Sequence, residues 1–374
     1  MKKVLLATRP IQPPWDEASK NFAYFLGKTV AGHELTLLGT RGASLPELPK
    51  TAHLAPVYRS AHFGLGEKAD LLKYLRTHRG AFDVTHYLFT PTRLNIGVIR
   101  ALAQPTAGKT IQTVATLRTD LYSPKTLRDI LFADRITVYT DATKQKLNDL
   151  GLTNVERIYP GIDLDCYQPR AKSQSVLDTY HLSPDDFLVV YPGEYTRLGA
   201  TDYLVETLIC HFTGALADPF VFLFACRIKN EADRVKREEV RERFQEAGCL
   251  DRIRFDEGDA TSDMATVYNT ADVVAFPVGD LRGKFDVPLI IIEAYASGKP
   301  VILSDLPAFG EFSNDQISAT IPRLDGTALI DKILYLKHNT EHSESLGRNA
   351  RVFALTHFDL RETARRYGEL YASL

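Results

Sequence analysis

The sequence predicts an α/β protein built from two doubly wound parallel sheets, and three observations lead to this fold class. The chain has 374 residues, which is about the length of two domains. Short β-rich runs alternate with helical patterns in the first half, and the same alternation restarts near residue 178. Apolar residues make up 44% and charged residues 25% of the chain, a balance typical of folded proteins. We therefore expect two Rossmann-like domains that face each other across a cleft.

The first half carries six β-rich runs with helical patterns between several of them. Leu71, Leu72 and Leu75 illustrate the helical period, because their spacing puts them on one face of the predicted helix. The predicted strands are Lys3–Thr8, Glu34–Leu38, Val84–Phe89, Lys109–Thr116, Arg135–Tyr139 and Val155–Tyr159. The predicted helices are Ala18–Thr29, Glu67–Arg79, Leu94–Ala103 and Asp141–Leu150.

The second half repeats this pattern with five strands and five helices. The predicted strands are Phe187–Tyr191, Pro219–Ala225, Ile253–Phe255, Val273–Pro277 and Val301–Ser304. The predicted helices are Thr201–Phe212, Glu231–Ala247, Met264–Thr270, Leu289–Ser297 and Leu329–Lys337. Ligands of open parallel sheets bind beyond the carboxyl ends of the strands, so the inter-domain cleft is the expected site.

Charge is divided unevenly between the two halves. Residues 1–160 carry 22 Lys+Arg and 13 Asp+Glu, a net charge of +9, which leaves 23 of the 45 basic and 34 of the 47 acidic residues for the remainder, a net charge of −11. A basic first half suits an anionic acceptor or an anionic membrane surface. The alternative is an ordinary solvated surface. Nucleic acid is not expected as a partner, because no recognition motif accompanies the basic residues.

Composition also indicates a cytoplasmic protein. Apolar runs such as Phe220–Cys226 are much shorter than the ~18 residues of a membrane span. The apolar start of the chain ends at Pro10 without a cleavage site, which predicts a first strand and not a signal peptide. The four cysteines form no Cys-x-x-Cys motif and fit a reducing compartment as free thiols. Peripheral contact with the inner face of a membrane stays open.

Two motifs in the second half are expected to carry chemistry. The first, Tyr191–Gly199, joins a strand to a helix through Gly193, and its Arg197 suits the clamping of a phosphate beside a helix N-terminus. The second runs from Lys284 to Ile302 and places Glu293 in the middle of an apolar helix. A carboxylate is costly to bury there without a partner such as a pair of sugar hydroxyls. The alternative for the first motif is a plain turn with a surface arginine. The alternative for Glu293 is a buried carboxylate held by neighbouring backbone amides.

These motifs resemble the C-terminal signature of the family-four retaining glycosyltransferases of GT-B fold. The resemblance is most specific at Glu293-Ala-Tyr-Ala-Ser-Gly-Lys-Pro-Val-Ile and extends to the Tyr191–Gly199 loop and to Tyr268–Pro277. In the first half it covers Gly32–Thr36 and Pro160–Asp163. The resemblance implies transfer of a sugar from a nucleotide-diphosphate donor, as co-substrate, to an acceptor with retention of anomeric configuration. It implies no other cofactor and no essential metal, and it leaves the acceptor, anionic or lipid-linked, and the oligomeric state open.

The resemblance also implies a domain division and a set of site residues. The acceptor domain would comprise residues 1–165 and 358–374, because the last helix of such proteins returns to the first domain. The donor domain would comprise residues 178–357, with the polar segment 166–177 as linker. Catalytic roles would fall to Arg197 and Glu293, facing each other across a gap sized for a nucleoside diphosphate. The residues expected to bind the donor are Gly193, Arg197, Lys284, Asp286, Val287, Pro288, Leu289 and Glu293.

Several family positions are altered in this chain. Phe285 stands where the family has its first glutamate, and Glu194 stands where an arginine often follows the glycine of the diphosphate loop. Ala115 occupies the place of a histidine in the first domain, and the paired glycines after the first strand are absent. These changes motivate a second hypothesis, a non-catalytic nucleotide or sugar binder with a degenerate donor site. A third is another GT-B enzyme, such as an epimerase or a phosphorylase.

Overall fold

The chain folds into two compact units. The computed structural model describes residues 1–13, 17–215, 218–256, 263–281 and 286–374. Unit 1 consists of the described residues of Met1–Gly161 together with Asp286, Val287 and Leu360–Leu374. Unit 2 consists of the other described residues between Ile162 and Asp359. The segment expected to be a linker lies in unit 2, where helix α6 begins at Gln174.

Unit 1 is built on a seven-stranded parallel sheet with the strand order β3-β2-β1-β4-β5-β6-β7. The strands are β1 (Lys3–Ala7), β2 (Glu34–Thr40), β3 (Ala52–Tyr58), β4 (Val84–Tyr87), β5 (Lys109–Val114), β6 (Arg135–Val138) and β7 (Val155–Arg157). The sequence does not predict β3, whose Pro56 suits an edge strand and weakens the β pattern. The other six strands lie within a few residues of their predicted bounds.

Helices cover both faces of this sheet. They are α1 (Ala18–Thr29), α2 (Leu65–Thr77), α3 (Arg93–Leu102), α4 (Pro124–Ile130), α5 (Asp141–Asp149) and α13 (Leu360–Ser373). Val4 and Leu6 of β1 pack into the core on one face, and Leu5 and Ala7 pack into the core on the other. Both faces are buried, which is why β1 is a continuous apolar run and not an alternating one.

The C-terminal helix α13 belongs to unit 1, and a buried polar network joins it to the sheet. His86 on β4 is fully buried between two hydroxyls, with Nδ1 2.8 Å from Tyr371 Oη and Nε2 2.6 Å from Thr113 Oγ1. Burial lowers the pKa of His86 to about 3, so the ring is neutral. Gly161 permits a close approach, because a Cβ there would lie 2.3 Å from Leu360 Cα.

Unit 2 is built on a six-stranded parallel sheet with the order β10-β9-β8-β11-β12-β13. The strands are β8 (Leu188–Tyr191), β9 (Val221–Phe224), β10 (Ile253–Phe255), β11 (Val273–Phe276), β12 (Val301–Ser304) and β13 (Ala319–Ile321). The helices are α6 (Gln174–Thr179), α7 (Thr201–Phe212), α8 (Glu231–Glu246), α9 (Met264–Thr270), α10 (Leu289–Ala296), α11 (Gly326–His338) and α12 (Thr340–His357), with 3₁₀ turns at Leu250–Arg252 and Pro307–Phe309.

The strand order of unit 2 reverses between β8 and β11. The chain runs outward from β8 to β9 and β10, and it then returns to the other side of β8 to form β11. In doubly wound sheets this reversal leaves a crevice at the carboxyl ends of the two central strands, and ligands bind there. The loops that follow β8, β9 and β11 are therefore where a ligand site in unit 2 is expected.

Candidate functional site

The loop after β8 can adopt its path only because residue 193 is a glycine. A Cβ at Gly193 would lie 1.8 Å from Cζ of Tyr191, whose ring is fully buried. That ring stacks on Phe276 of β11, with ring centroids 6.4 Å apart, so it has no room to move aside. The backbone after β8 therefore lies directly against the aromatic core of unit 2, and only a residue without a Cβ fits there.

The same loop ends in a strained turn before helix α7. Leu198 has a φ of +69° and Gly199 a φ of +61°, and a leucine rarely adopts this left-handed conformation. The carbonyl of Leu198 accepts the N–H of Gly279 at 2.8 Å, which ties the turn to the loop after β11. Ala200 supplies no side-chain cap at the start of α7. The turn thus fixes Arg197 at the carboxyl edge of the sheet, beside a helix start.

Glu194 lies beneath two exposed cations. Its side chain is only 6% exposed, and its Oε1 is 2.6 Å from Nζ of Lys229. Its Oε2 is 3.5 Å from Nε of Arg197. The side chains of Lys229 and Arg197 are 40% and 45% exposed, so positive charge faces solvent while the negative charge is covered. The sequence analysis missed Lys229, although its place just beyond the carboxyl end of the predicted strand Pro219–Ala225 was a usable signal.

Asp233 fastens the loop after β8 to the loop after β9. Its buried carboxylate accepts the hydroxyl of Thr196 at 2.7 Å and the backbone N–H of Lys229 at 3.1 Å. The N–H of Asp233 donates to Asn230 Oδ1 at 3.1 Å, which caps the start of α8. Arg197 and Lys229 are therefore held on two loops that a buried carboxylate joins.

Glu293 lies on α10 among two tyrosines and an arginine. Desolvation raises the pKa of its carboxyl to about 7, and hydrogen bonds from the hydroxyls of Tyr167 and Tyr268 and the charge of Arg227 partly offset that effect. Tyr268 is buried, whereas Arg227 is exposed on the loop after β9. Glu293 is thus half-buried and strongly desolvated, and a cation from the β9 loop lies within its electrostatic reach.

The other predicted donor-site residues fall in different places. Pro288 precedes α10 with a φ of −73°, and Leu289 is the first residue of that helix. Lys284 and Phe285 lie outside the described residues. Arg197 pairs with Glu194. That Arg197 and Glu293 face each other across a gap sized for a diphosphate stays a prediction.

Asp286 and Val287 group with unit 1 and not with the donor side where the sequence analysis put them. The Asp286 N–H donates to the carbonyl of Ala115 at 3.0 Å. The Asp286 carboxylate accepts the hydroxyl of Thr143 at 2.6 Å, and the N–H of Leu117 lies 3.4 Å from its other oxygen. These contacts occupy Asp286 within unit 1. They also bring the segment to Ala115, where the resembling family carries a histidine.

The Asp163-Leu164-Asp165 sequence forms a turn. Asp163 Oδ1 accepts the N–H groups of Asp165 and Cys166, each at 3.0 Å. This use of the carboxylate is typical of an Asx turn. Across the described part of the chain, no three His, Cys, Asp or Glu side chains come together as metal ligands.

Two solved structures share this fold over nearly the whole of both chains. HepE of Anabaena in complex with UDP superposes with a TM-score of 0.75, at 16% identity and with 100% of both chains covered. Sucrose-phosphate synthase from Thermosynechococcus elongatus superposes with a TM-score of 0.76, at 18% identity, over 100% of this chain and 99% of the other. Two parallel sheets in tandem and these likenesses define a protein of the GT-B fold, as the sequence predicts.

The second half of the chain also matches a family by sequence. The family model described as "Glycosyl transferases group 1" matches residues 187–339, and this match confirms the expected resemblance to glycosyltransferases. D-inositol 3-phosphate glycosyltransferase of Mycobacterium marinum is 25% identical over 193 residues, which are 50% of this chain and 39% of the relative. The enzyme of that name from Saccharomonospora viridis is 27% identical over 252 residues, 64% of this chain and 55% of the relative. The chain thus spans about half the length of these relatives.

None of the described helices carries an apolar stretch long enough to cross a membrane.

Proposed function

We propose that this protein is a glycosyltransferase that moves a sugar from a nucleoside-diphosphate donor, bound by unit 2, to an acceptor bound by unit 1. One observation supports this proposal above the others. Two exposed cations, Arg197 and Lys229, and a desolvated carboxylate, Glu293, belong to elements that follow the central strands of unit 2. That set of groups matches a diphosphate and a ribose, and HepE, a protein of the same fold, binds UDP.

The diphosphate would lie against the loop after β8. Gly193 lets the backbone come close, and the uncapped start of α7 offers N–H groups to phosphate oxygens. Arg197 supplies a planar guanidinium that can form two parallel hydrogen bonds to a phosphate. Positive charge at this place also opposes the negative charge that grows on the leaving nucleoside diphosphate, and this is the main catalytic contribution that we assign to the protein.

Glu293 would hold the ribose of the donor. A carboxylate accepts hydrogen bonds from two neighbouring hydroxyls, and these bonds replace the solvation that burial removes. The tyrosine hydroxyls at Tyr167 and Tyr268 keep the carboxylate oriented while the site is empty. Binding of the ribose then favours the ionised form of Glu293.

We further propose that the reaction retains the anomeric configuration and proceeds without an essential metal. Arginine and lysine side chains take the charge-neutralising role that a divalent cation has in other transferases, and no protein nucleophile is assigned. The remainder of the rate enhancement comes from holding the donor and the acceptor close together in the orientation that the reaction requires.

The acceptor would bind at the carboxyl edge of the sheet in unit 1. A small pocket there is lined by Thr90, Thr116, Arg118 and Tyr122, which follow β4 and β5, and also by apolar side chains such as Leu127 of α4. Arg118 is paired with Asp120 at 2.6 Å and is partly exposed. The net charge of +9 on residues 1–160 suits an anionic acceptor on this side of unit 1, including a lipid-linked one at a membrane surface.

A non-catalytic nucleotide binder is the second candidate, and the ion pairs of Glu194 favour it. A carboxylate within 2.6 Å of Lys229 and 3.5 Å of Arg197 reduces the positive charge available to a leaving group. Such a protein would bind a nucleotide sugar without cleaving the bond between the sugar and the nucleoside diphosphate. Turnover, and not binding, therefore separates the two candidates.

The first experiment measures thermal unfolding of the protein with UDP, GDP, ADP and their sugar conjugates. A ligand present at about 100 times its dissociation constant stabilises the folded state by ~2.7 kcal/mol. We expect such a shift with one nucleoside diphosphate and its sugars. The absence of a shift with all three diphosphates would overturn both candidates.

The second experiment measures release of the nucleoside diphosphate from the sugar donor that binds, with and without EDTA. Donor hydrolysis or transfer that survives EDTA supports a metal-independent transferase. NMR of the product anomeric proton then tests retention. Binding with no release of nucleoside diphosphate, in the presence of sugar and lipid-linked acceptors, would favour the non-catalytic binder.

A further inference from the structure

The loop after β8 carries an acidic residue, Glu194, where the resembling family often has an arginine. The neighbouring loop after β9 carries two basic residues. Glu194 directly follows Gly193, the residue that brings the backbone close to a ligand. Arg227 and Lys229 lie on the loop between β9 and α8, three and five residues beyond the end of β9. Both are exposed. The strands β8 and β9 are hydrogen-bonded neighbours, so their two loops emerge side by side.

We propose that Lys229, with Arg227 beside it, supplies the diphosphate-binding charge that Glu194 has removed from the glycine loop. Lys229 would donate to a phosphate oxygen of the donor, and Arg227 would extend the positive surface toward Glu293. This inference rests on the proposed function, because it assigns residues to the donor diphosphate of that reaction.

The position of Lys229 is built into the fold. Its backbone N–H is held by the carboxylate of Asp233, which also holds Thr196 of the glycine loop. Its ammonium is drawn to Glu194 at 2.6 Å. The side chain of Lys229 is nevertheless 40% exposed, whereas that of Glu194 is 6% exposed. An anion arriving from solvent therefore meets the ammonium first.

Glu194 acts in this arrangement as an internal anion that competes with the donor. In the empty site its carboxylate holds Lys229 at 2.6 Å and lies 3.5 Å from Arg197. A diphosphate would draw both cations outward and would also face the charge of the buried carboxylate beneath them. Removing that charge should tighten diphosphate binding, whereas removing Lys229 should weaken it. Neutralising Glu194 and neutralising Lys229 should therefore change the affinity for a diphosphate in opposite directions.

The test measures dissociation constants of UDP, GDP and ADP, and of the matching nucleosides, by calorimetry. We expect Lys229→Met to weaken the best nucleoside diphosphate ~10- to 100-fold, the usual effect of losing one hydrogen bond between charged groups. The affinity of the nucleoside should not change. Glu194→Gln should tighten the diphosphate about 3- to 10-fold. Lys109→Met is the matched control, because Lys109 forms an exposed ion pair with Asp134 at 3.3 Å in unit 1.

Lys229→Met leaves the buried Glu194 without its ammonium partner and can destabilise the protein. The double variant E194Q/K229M avoids that effect, and its reference is Glu194→Gln alone. If Lys229→Met and E194Q/K229M bind the diphosphate as tightly as their references, the inference is wrong and the proposed function stands. If nucleoside and diphosphate lose affinity equally, Lys229 is structural and the inference is also wrong. If the wild-type protein binds none of the three diphosphates, the proposed function fails and this inference fails with it.

Discussion

Replacing Glu293 with glutamine tests the electrostatic cost of desolvating the Glu293 carboxylate. The pKa of Glu293 is raised to about 7 from an ordinary value of 4.5, chiefly because burial removes water from the ionised form. A carboxyl whose pKa is higher in the folded state opposes folding once it ionises. The penalty is absent below pH 4.5, grows as the pH rises through the interval to 7, and is constant above 7.

The size of the penalty follows from the difference in pKa. A change from 4.5 to about 7 corresponds to about 3 kcal/mol at 1.36 kcal/mol per pKa unit. Glu293→Gln removes the charge and keeps the shape of the side chain. The free energy of unfolding of the variant, minus that of the wild-type protein, should therefore rise by about 3 kcal/mol between pH 4.5 and pH 8.

The assay is urea unfolding of both proteins at several pH values between 4.5 and 8. Other titrating groups are shared by the two proteins, so they cancel in the difference. Glu344→Gln serves as the control, because Glu344 forms an exposed pair with Arg348 at 3.2 Å and should change stability by less than about 1 kcal/mol. A difference between Glu293→Gln and wild type that stays constant over this range would refute the reasoning.

Three further substitutions test the packing of helix α13 and of the loop after β8. Tyr371→Phe removes the hydroxyl that bonds the buried His86, and we expect a loss of about 1–3 kcal/mol in urea unfolding that is the same from pH 5 to 8, because the pKa of His86 is about 3. Gly193→Ala puts a Cβ 1.8 Å from a buried ring and should weaken nucleotide binding, whereas Gly66→Ala, where a Cβ meets nothing within 4 Å, should not. Gly161→Ala should expose helix α13 to hydrogen exchange, because its Cβ would lie 2.3 Å from the backbone of that helix. Unchanged exchange in α13 would contradict the last expectation.

Regular elements with a clear period were predictable from the sequence. Helices α1 and α7 begin and end where the periodicity places them, at Ala18–Thr29 and Thr201–Phe212. Helix α12, Thr340–His357, was not predicted, because Gly347 interrupts a polar sequence. That glycine is explained by packing, since a Cβ there would lie 2.2 Å from the carbonyl oxygen of Gly298. A contact between residues distant in the chain leaves no period in the sequence.

Glu293 and Gly193 could be singled out from the sequence as candidate site residues, because a carboxylate in an apolar helix and a glycine after a buried strand conflict with local preference unless they have a role. The partners of these residues were not predictable. Lys229 reaches Glu194 from 35 residues away, and Asp286 bonds Thr143 from 143 residues away.

The sequence by itself determined which residues form strands and helices, because the alternation of apolar and polar side chains is a local property. Only the tertiary structure decided which charges meet. The order β10-β9-β8-β11 puts the loop of β9 beside that of β8, and this neighbourhood gives Glu194 a lysine partner. Ion pairs depend on distance in space, and distance along the chain does not report it.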